Sequence, residues 1–240
     1  MKEIIQFENH QLEIKRRARQ RRMVLVVKPD GGLRVTCSRG MPQRDIVEFL
    51  KGSQEFIAKN ILRFEAIRLR HPAKSFVSGE EFMFFGQMRK LEVVWGWQKR
   101  VQVEALEDSL EMRAPVTSLP GERAKAMRIF YRKQAALHLP EVMRECAEQM
   151  QLFPRRLSIR GQISRWGSCS STGMISLNWK LMAAPVDVIR YVVVHELAHL
   201  QHPNHSARFW ALVERHHPAQ TARRWLKDHE FQIFQQFKEA

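Results

Sequence analysis

One segment of this sequence constrains the fold more than any other: an apolar run that ends in histidine and glutamate. Residues 188–194 read Val-Ile-Arg-Tyr-Val-Val-Val, His195 and Glu196 follow directly, and His199 comes one helical turn later. Pro185 stands shortly before the run, at a position typical of a helix's first turn. A helix this apolar is expected to be buried, and burying polar side chains in it is costly unless a partner satisfies them. The sequence therefore predicts a buried helix whose last turn binds a ligand.

A metal ion is the ligand that fits this spacing. His195 and His199 are four residues apart, so their imidazoles project from one helical face and can reach one tetrahedral ion. Glu196 lies beside the first ligand and can accept a proton from a water without ligating the ion itself, which is the HExxH arrangement. A chain of this composition would contain the pattern by chance roughly 3 times in 100.

A catalytic site of this type needs a third protein ligand. Pro203 ends the helix soon after His199, and His205 follows six positions after His199, where the chain can turn back toward the ion. Ser206 is a suitable N-cap for the next helix. His205 is therefore the expected third ligand. The alternatives that the spacing leaves open are His202, Glu214 and Glu230.

The composition is that of a soluble globular protein. The chain has 240 residues, of which 44% are hydrophobic and 27% charged. No apolar run approaches the roughly 20 residues that span a bilayer, and the first residues carry no secretory signal. Three cysteines do not form an even-numbered disulfide framework. These features predict a cytoplasmic protein with no membrane partner.

The chain is strongly basic, with 40 Lys and Arg against 25 Asp and Glu and a formal net charge of +15. Such an excess favours polyanions or acidic substrates. The segment 15–22 has six basic residues in eight, which suits either a solvated turn or an anion-binding surface. Nucleic acid binding through a basic surface therefore stays open.

Hydrophobic periodicity and turn residues predict an α+β fold without an internal repeat. We expect a β-rich part over residues 1–119 and a catalytic part over 120–240, which together could form one continuous domain. The β-rich part contains a hairpin over 23–37, one long helix over 42–70 and short strands over 75–113. The catalytic part begins with a helix over 121–150 that carries Pro140, and continues with a hairpin over 163–179 and the apolar helix.

The hairpin offers groups for substrate binding. Arg165, Ser168 and Asn178 are candidate polar contacts in the cleft. Residues 174–179 are expected to be the strand beside which an extended peptide lies, through backbone hydrogen bonds. Arg165 or Tyr191 is a candidate second electrophile.

The motifs together resemble a known family. Residues 195–210 read His-Glu-Leu-Ala-His-Leu-Gln-His-Pro-Asn-His-Ser-Ala-Arg-Phe-Trp, and they are preceded by Arg-Trp-Gly-Ser-Cys-Ser at 165–170 and Ile-Ser-Leu-Asn-Trp at 175–179. This pattern is similar to the YgjP-like metal-dependent hydrolases, relatives of the SprT-like and WLM zinc metalloproteases. The resemblance implies a zincin-like core, one Zn²⁺ held by His195, His199 and His205, and Glu196 as catalytic base. Iron, manganese or nickel could fill the same ligand set.

Three functions follow from the motif and the resemblance. The first is a zinc metallopeptidase acting on a peptide or protein. The second is a nucleoside triphosphate (UTP) pyrophosphatase, an activity associated with YgjP-like proteins; Arg155, Arg156, Arg160 and Arg165 would then bind the phosphates. The third is a DNA-associated protein-processing module, as in SprT-type relatives.

Overall fold

The computed structural model describes residues 2–28, 31–162 and 165–238. The chain divides into two compact units, residues 1–71 and 72–240. Both units contain a sheet and helices, so the prediction of an α+β fold is confirmed. Residue 120, where the sequence analysis places a boundary, is the first residue of a helix in the second unit.

The first unit is a four-stranded sheet followed by two helices. Its elements are β1 (Lys2–Phe7), β2 (His10–Arg17), β3 (Val24–Val27), β4 (Leu33–Ser38), α1 (Gln43–Lys51) and α2 (Gln54–Arg70). The strand order is β1-β2-β4-β3, with β2 and β4 parallel and the other pairs antiparallel. Strands β3 and β4 confirm the predicted hairpin, although Pro29 and Asp30 of its turn lie outside the described residues. Alternate residues of β4 are fully buried and form the centre of this unit's core.

The prediction of one helix over residues 42–70 is wrong, because α1 ends at Lys51 and α2 begins at Gln54. Between them, the Ser53 hydroxyl donates a hydrogen bond to the carbonyl of Phe49 at 2.8 Å. The Gly52 backbone N–H also donates a hydrogen bond to the carbonyl of Glu48, at 3.0 Å. Glycine and serine at adjacent positions thus end the first helix, which apolar periodicity alone does not reveal.

The second unit begins with a sheet of the same topology. Its strands are β5 (Glu81–Phe84), β6 (Gln87–Gly96), β7 (Gln102–Ala105) and β8 (Ser109–Pro115), in the order β5-β6-β8-β7. The central pair is again parallel and both outer pairs are antiparallel. The sequence shows no internal repeat, yet the same strand order occurs in both units.

The helix that follows, α3 (Pro120–Met150), organises the core of the second unit. It continues through Pro140, and its buried face includes Phe130 and Tyr131. The Tyr131 hydroxyl donates to the carbonyl of Met83 at 2.7 Å and so ties the helix to the preceding sheet. Neither α3 nor any other helix in the described ranges is long and apolar enough to cross a membrane.

A three-stranded sheet, a 3-10 helix and three α-helices complete the described part of the second unit. They are β9 (Arg156–Arg160), β10 (Gly167–Cys169), β11 (Met174–Asn178), a 3-10 helix (Trp179–Ala183), α4 (Val186–Ala198), α5 (Ala207–His216) and α6 (Ala219–Gln235). Strands β10 and β11 pair antiparallel and confirm the predicted hairpin from residue 165 onward. Its first two residues, 163 and 164, lie outside the described ranges.

The order of this small sheet is β10-β11-β9. Strand β11 pairs antiparallel with β10 on one side and parallel with β9 on the other. Both of its edges are therefore occupied, and the expectation that a peptide lies beside residues 174–179 is wrong. Strand β10 has the edge that no other described strand pairs with.

The turn between β5 and β6 positions the start of α4. The backbone N–H groups of Phe85 and Gly86 donate to the carbonyls of Met182 and Ala183 at 2.8 and 2.9 Å. Gly86 has φ +78°, and a Cβ placed on it would lie 2.6 Å from Cγ of Pro185, the residue that caps α4. Only glycine satisfies both the backbone conformation and the close approach.

This contact predicts that Gly86→Ala destabilises the second unit more than Gly79→Ala does. Gly79 also has a positive φ, +90°, but no atom lies within 4 Å of the point where its added methyl group would be, so that variant measures backbone strain alone. We expect Gly86→Ala to lower the free energy of unfolding by roughly 1–3 kcal/mol more, because it also overpacks against Pro185. Urea unfolding followed by tryptophan fluorescence measures this, since all 6 tryptophans lie in the second unit. Equal destabilisation by the two variants would contradict it.

Candidate metal centre

The helix α4 is held in place by burial rather than by helix propensity. Its sequence is rich in valine, which is a weak helix former, and it has no side-chain N-cap. Seven of its apolar or aromatic side chains between residues 188 and 197 are buried in the core of the second unit. The helix ends at Ala198, so His195 and Glu196 lie in its last turn and His199 is the C-cap residue.

Three histidines converge at this end of the helix. His195 and His199 come from α4, and His205 comes from the loop that connects α4 to α5. The Nε2 atoms of His195 and His205 are 3.1 Å apart, and one ligand atom from each of the three residues lies within 4.8 Å of the others. Nitrogen ligands on a tetrahedral ion with bonds near 2.0–2.1 Å are about 3.3 Å apart, so the three imidazoles fit one divalent ion.

The protonation of these histidines suits a cation. Burial, assisted by the charges of His199 and His205, lowers the pKa of His195 to about 4. Burial also lowers the pKa of His199. Both rings are therefore neutral near pH 7, and the neutral imidazole is the form that ligates metals.

Neighbouring groups orient the rings. The Nδ1 atom of His199 is 3.1 Å from the carbonyl oxygen of His202, so Nδ1–H donates there and Nε2 is left for the ion. The Tyr191 hydroxyl lies 3.5 Å from Nδ1 of His195. The ring of Phe209 packs against all three imidazoles, with centroid separations between 4.6 and 4.9 Å. These contacts restrict the rotamers of the histidines before any ion binds.

Glu196 is next to the histidines and is only 6% exposed. Burial raises the pKa of its carboxyl to about 7, and the charge of Arg165 opposes part of that rise. A Cβ placed on Gly167 would lie 2.6 Å from Oε1 of Glu196, so the carboxyl sits directly against strand β10. A carboxyl in this position can take and return protons near neutral pH.

The group opens into a cavity of about 950 Å³. It is lined by β10 with the turn 170–173 and by the end of α4 with His205. Phe153, Arg155 and Arg165 also line it. The cavity is large enough for several residues of an extended peptide or for a small molecule.

Of the three residues predicted to bind substrate, two line the cavity and one is buried. Arg165 and Ser168 line the cavity. Asn178 is fully buried and does not line it: its amide donates to the carbonyls of Gln162 at 2.9 Å and Arg165 at 2.8 Å, and its Oδ1 accepts from the Lys180 N–H. Asn178 therefore holds the backbone of the segment that carries Arg165.

The alternative third ligands are engaged elsewhere or lie apart from the histidines. His202 offers its carbonyl to the Nδ1–H of His199. The carboxylate of Glu214 accepts from the Ala219 N–H at 3.3 Å, at the start of α6. Glu230 lies on α6 and does not belong to the histidine group. Tyr191, a candidate electrophile, faces Nδ1 of His195 and does not line the cavity.

Two contributors to the site were missed by sequence reasoning. Gly167 leaves the space that the Glu196 carboxyl occupies, and Phe209 packs under the histidine rings. A glycine inside a predicted strand is a known signal of close approach and could have indicated the role of Gly167. Phe209 has the sequence pattern of an ordinary core residue, because helical periodicity does not reveal which side chains a buried ring contacts.

Comparison with protein families agrees with a metal site. The sequence matches the family described as YgjP-like, metallopeptidase domain, over residues 21–229. Comparison with curated proteins gave no match. Among solved structures, the chain is similar to the metallopeptidase zymogen abylysin of Pyrococcus abyssi, with 22% identity and a TM-score of 0.35 over 38% of this chain and 95% of that one. It is also similar to the zymogen jannalysin of Methanocaldococcus jannaschii, with 16% identity and a TM-score of 0.34 over 39% of this chain and 94% of that one. Because the family match covers most of the sequence, the chain belongs to the YgjP-like metallopeptidase domain family and is a metal-dependent hydrolase.

Proposed function

We propose that this protein is a zinc-dependent peptidase with a zincin-like core, in which His195, His199 and His205 hold the ion and Glu196 is the general base. The observation that carries the proposal is the convergence of three imidazole nitrogens beside a buried carboxyl in an open cavity. Three histidines are a common ligand set of catalytic zinc, and the fourth position is left for water or substrate. Bound zinc supplies Lewis-acid polarisation of a carbonyl and lowers the pKa of water.

The residues of the chain supply the proton transfers. Glu196 accepts a proton from the attacking water and returns it to the amine nitrogen that leaves when the peptide bond breaks. The position of its carboxyl against Gly167 supports this assignment, because it places the base at the edge of the sheet where a substrate would lie. The guanidinium of Arg165 is close enough to affect the pKa of Glu196 and remains the candidate second electrophile.

The edge of β10 supports a peptide as substrate. The carbonyl of Trp166 accepts from the Asn178 N–H and the Ser170 N–H donates to the Met174 carbonyl, so these groups face β11. In an antiparallel pair the backbone groups alternate in direction. Those of Gly167 and Cys169 therefore point away from β11, toward the side on which an extended peptide can add as a further strand.

Substitution of two residues separates metal binding from catalysis. We expect Glu196→Gln to keep one equivalent of zinc and to lose at least about 10²-fold in turnover, because it removes the base and not a ligand. His199→Ala should lose both zinc and turnover. Zinc is measured by elemental analysis after dialysis, and turnover with a quenched-fluorescent peptide library. His216→Ala, which removes a histidine outside the group, is the control. Full activity of Glu196→Gln would refute the role of the base.

Gly167→Ala tests the placement of the carboxyl. The added methyl group would lie 2.6 Å from Oε1 of Glu196, so the base must move. Displacement of a catalytic group by about 1 Å can cost about 10²-fold in rate, and we expect a loss of that size in kcat with zinc retained. Gly40→Ala adds the same methyl group where no atom lies within 4 Å and should have wild-type activity. A Gly167→Ala variant as active as the Gly40→Ala control would show that Glu196 does not act from this position.

A nucleoside triphosphate pyrophosphatase is the second candidate, and one observation favours it. Two of the four arginines proposed to bind phosphates, Arg155 and Arg165, line the cavity, whereas Arg156 and Arg160 do not. Guanidinium groups bind phosphate oxygens well. Zinc-loaded wild type and Glu196→Gln are therefore incubated with UTP and assayed for pyrophosphate. We expect equal background release from both; release by the wild type alone would establish the pyrophosphatase in place of the peptidase.

A further inference from the structure

The charge of the cavity is unbalanced, and this points to the chemistry of its substrate. Among the described residues that line it, Glu196 is the one carboxylate, whereas Arg155 and Arg165 both contribute guanidinium groups. No ion pair in the described ranges joins either arginine to an acidic residue. A bound divalent ion adds further positive charge. A substrate that enters this cavity therefore meets an excess of positive charge.

The two arginines reach the cavity from different strands of the small sheet. Arg165 precedes β10, and Glu196 contacts Gly167 at the first residue of that strand. Arg155 precedes β9, which lies on the other side of β11 from β10, and its N–H donates to the carbonyl of Gly173 at 2.8 Å, in the turn between β10 and β11. The stem of Arg155 runs alongside that glycine, with Cγ 3.6 Å from the point where a Cβ would be. Both side chains line the cavity, so a peptide bound in it meets two guanidinium groups.

The backbone that carries Arg165 is held by a buried group. The amide of Asn178 is fully buried and donates to the carbonyls of Gln162 and Arg165. These two hydrogen bonds from one buried side chain fix the carbonyls of Gln162 and Arg165. The position of the Arg165 backbone is therefore defined, while its side chain stays exposed to the cavity.

We propose that Arg155 and Arg165 make the enzyme selective for acidic peptides, with carboxylate side chains near the bond that is cleaved. The inference rests on the proposed peptidase function and names the substrate class of that site. Each guanidinium would form a charge-assisted pair with a carboxylate of the bound peptide. Peptides with lysine or arginine at the same positions would be repelled by the two arginines and by the ion.

The test compares two quenched-fluorescent peptides of the same length, one with Asp and Glu on both sides of the central bond and one with Asn and Gln at those positions. The amides are nearly isosteric, so the pair differs in charge. We expect the wild-type enzyme to show a kcat/KM at least about 10-fold higher for the acidic peptide, mainly through KM, because a screened charge-assisted pair is worth about that factor. The preference should shrink as salt is added.

Substitutions assign the preference to the arginines. Arg155→Gln should lower kcat/KM for the acidic peptide by about 10-fold and leave the amide peptide within about 2-fold. Arg165→Gln also removes the candidate second electrophile, so it is read by the ratio of the two peptides, and the preference for the acidic one should fall by about 10-fold. Arg165→Glu should reverse the preference in favour of a peptide with Lys at the paired position. Arg156→Gln is the matched control, because Arg156 is an exposed arginine next to Arg155 that does not line the cavity. An equal loss in this control would overturn the assignment.

A binding measurement distinguishes failure of the inference from failure of the proposed function. Zinc-loaded Glu196→Gln is titrated into fluorescently labelled acidic and amide peptides, and anisotropy is recorded. Tighter binding of the acidic peptide that disappears in Arg165→Gln and Arg155→Gln backgrounds supports the inference. Cleavage of both peptides at equal rates, with equal binding, would overturn the inference and leave the peptidase intact. No Glu196-dependent cleavage of any peptide would overturn the proposed function, and the inference with it.

Discussion

Desolvation of the last turn of α4 is the constraint on which the site depends. His195 and Glu196 lie at the end of a helix with seven apolar or aromatic side chains in the core, so neither group is stable there as an isolated charge. The protein meets this constraint with neutral imidazoles, a carboxyl whose pKa is raised to about 7, and one open side toward the cavity. A divalent ion completes the arrangement, because it replaces the water that burial has removed from the ligand atoms. The same burial that costs free energy in the apo protein makes the groups reactive.

In the proposed function, the small sheet makes this end of α4 a substrate site. Strand β11 is paired on both sides, β10 leaves one edge that no described strand occupies, and Gly167 lets the Glu196 carboxyl approach that strand. Asn178 illustrates how a polar residue near a cleft can serve the site without lining it, since its amide binds the carbonyls of Gln162 and Arg165. Arg155 and Arg165, which line the cavity, give it an excess of positive charge.

The two units share one sheet topology, but the residues of the candidate site belong to the second unit. In both units two antiparallel hairpins join through a central parallel pair and are followed by helix. The three histidines and Glu196 all belong to the second unit, whose sheet contacts the start of α4 through the turn at Gly86. The first unit has its own apolar core, built on Leu12, Ile14 and Val35. A topology that stabilises one compact unit therefore also positions a catalytic helix once α3 and α4 are added to it.

The sequence by itself determined the features that depend on local spacing: the hairpins, the buried helix, and the three histidines and glutamate, which the structure brings together and whose metal binding remains a prediction. Such features follow from the periods of helix and strand, which are properties of neighbouring residues. Tertiary structure alone decided that β11 is central, that Asn178 is buried, that Gly167 faces Glu196 and that the units divide at residue 71. These features depend on which segments of the chain pack together, as in the parallel pairing of β9 with β11. No period in the sequence specifies such a partner.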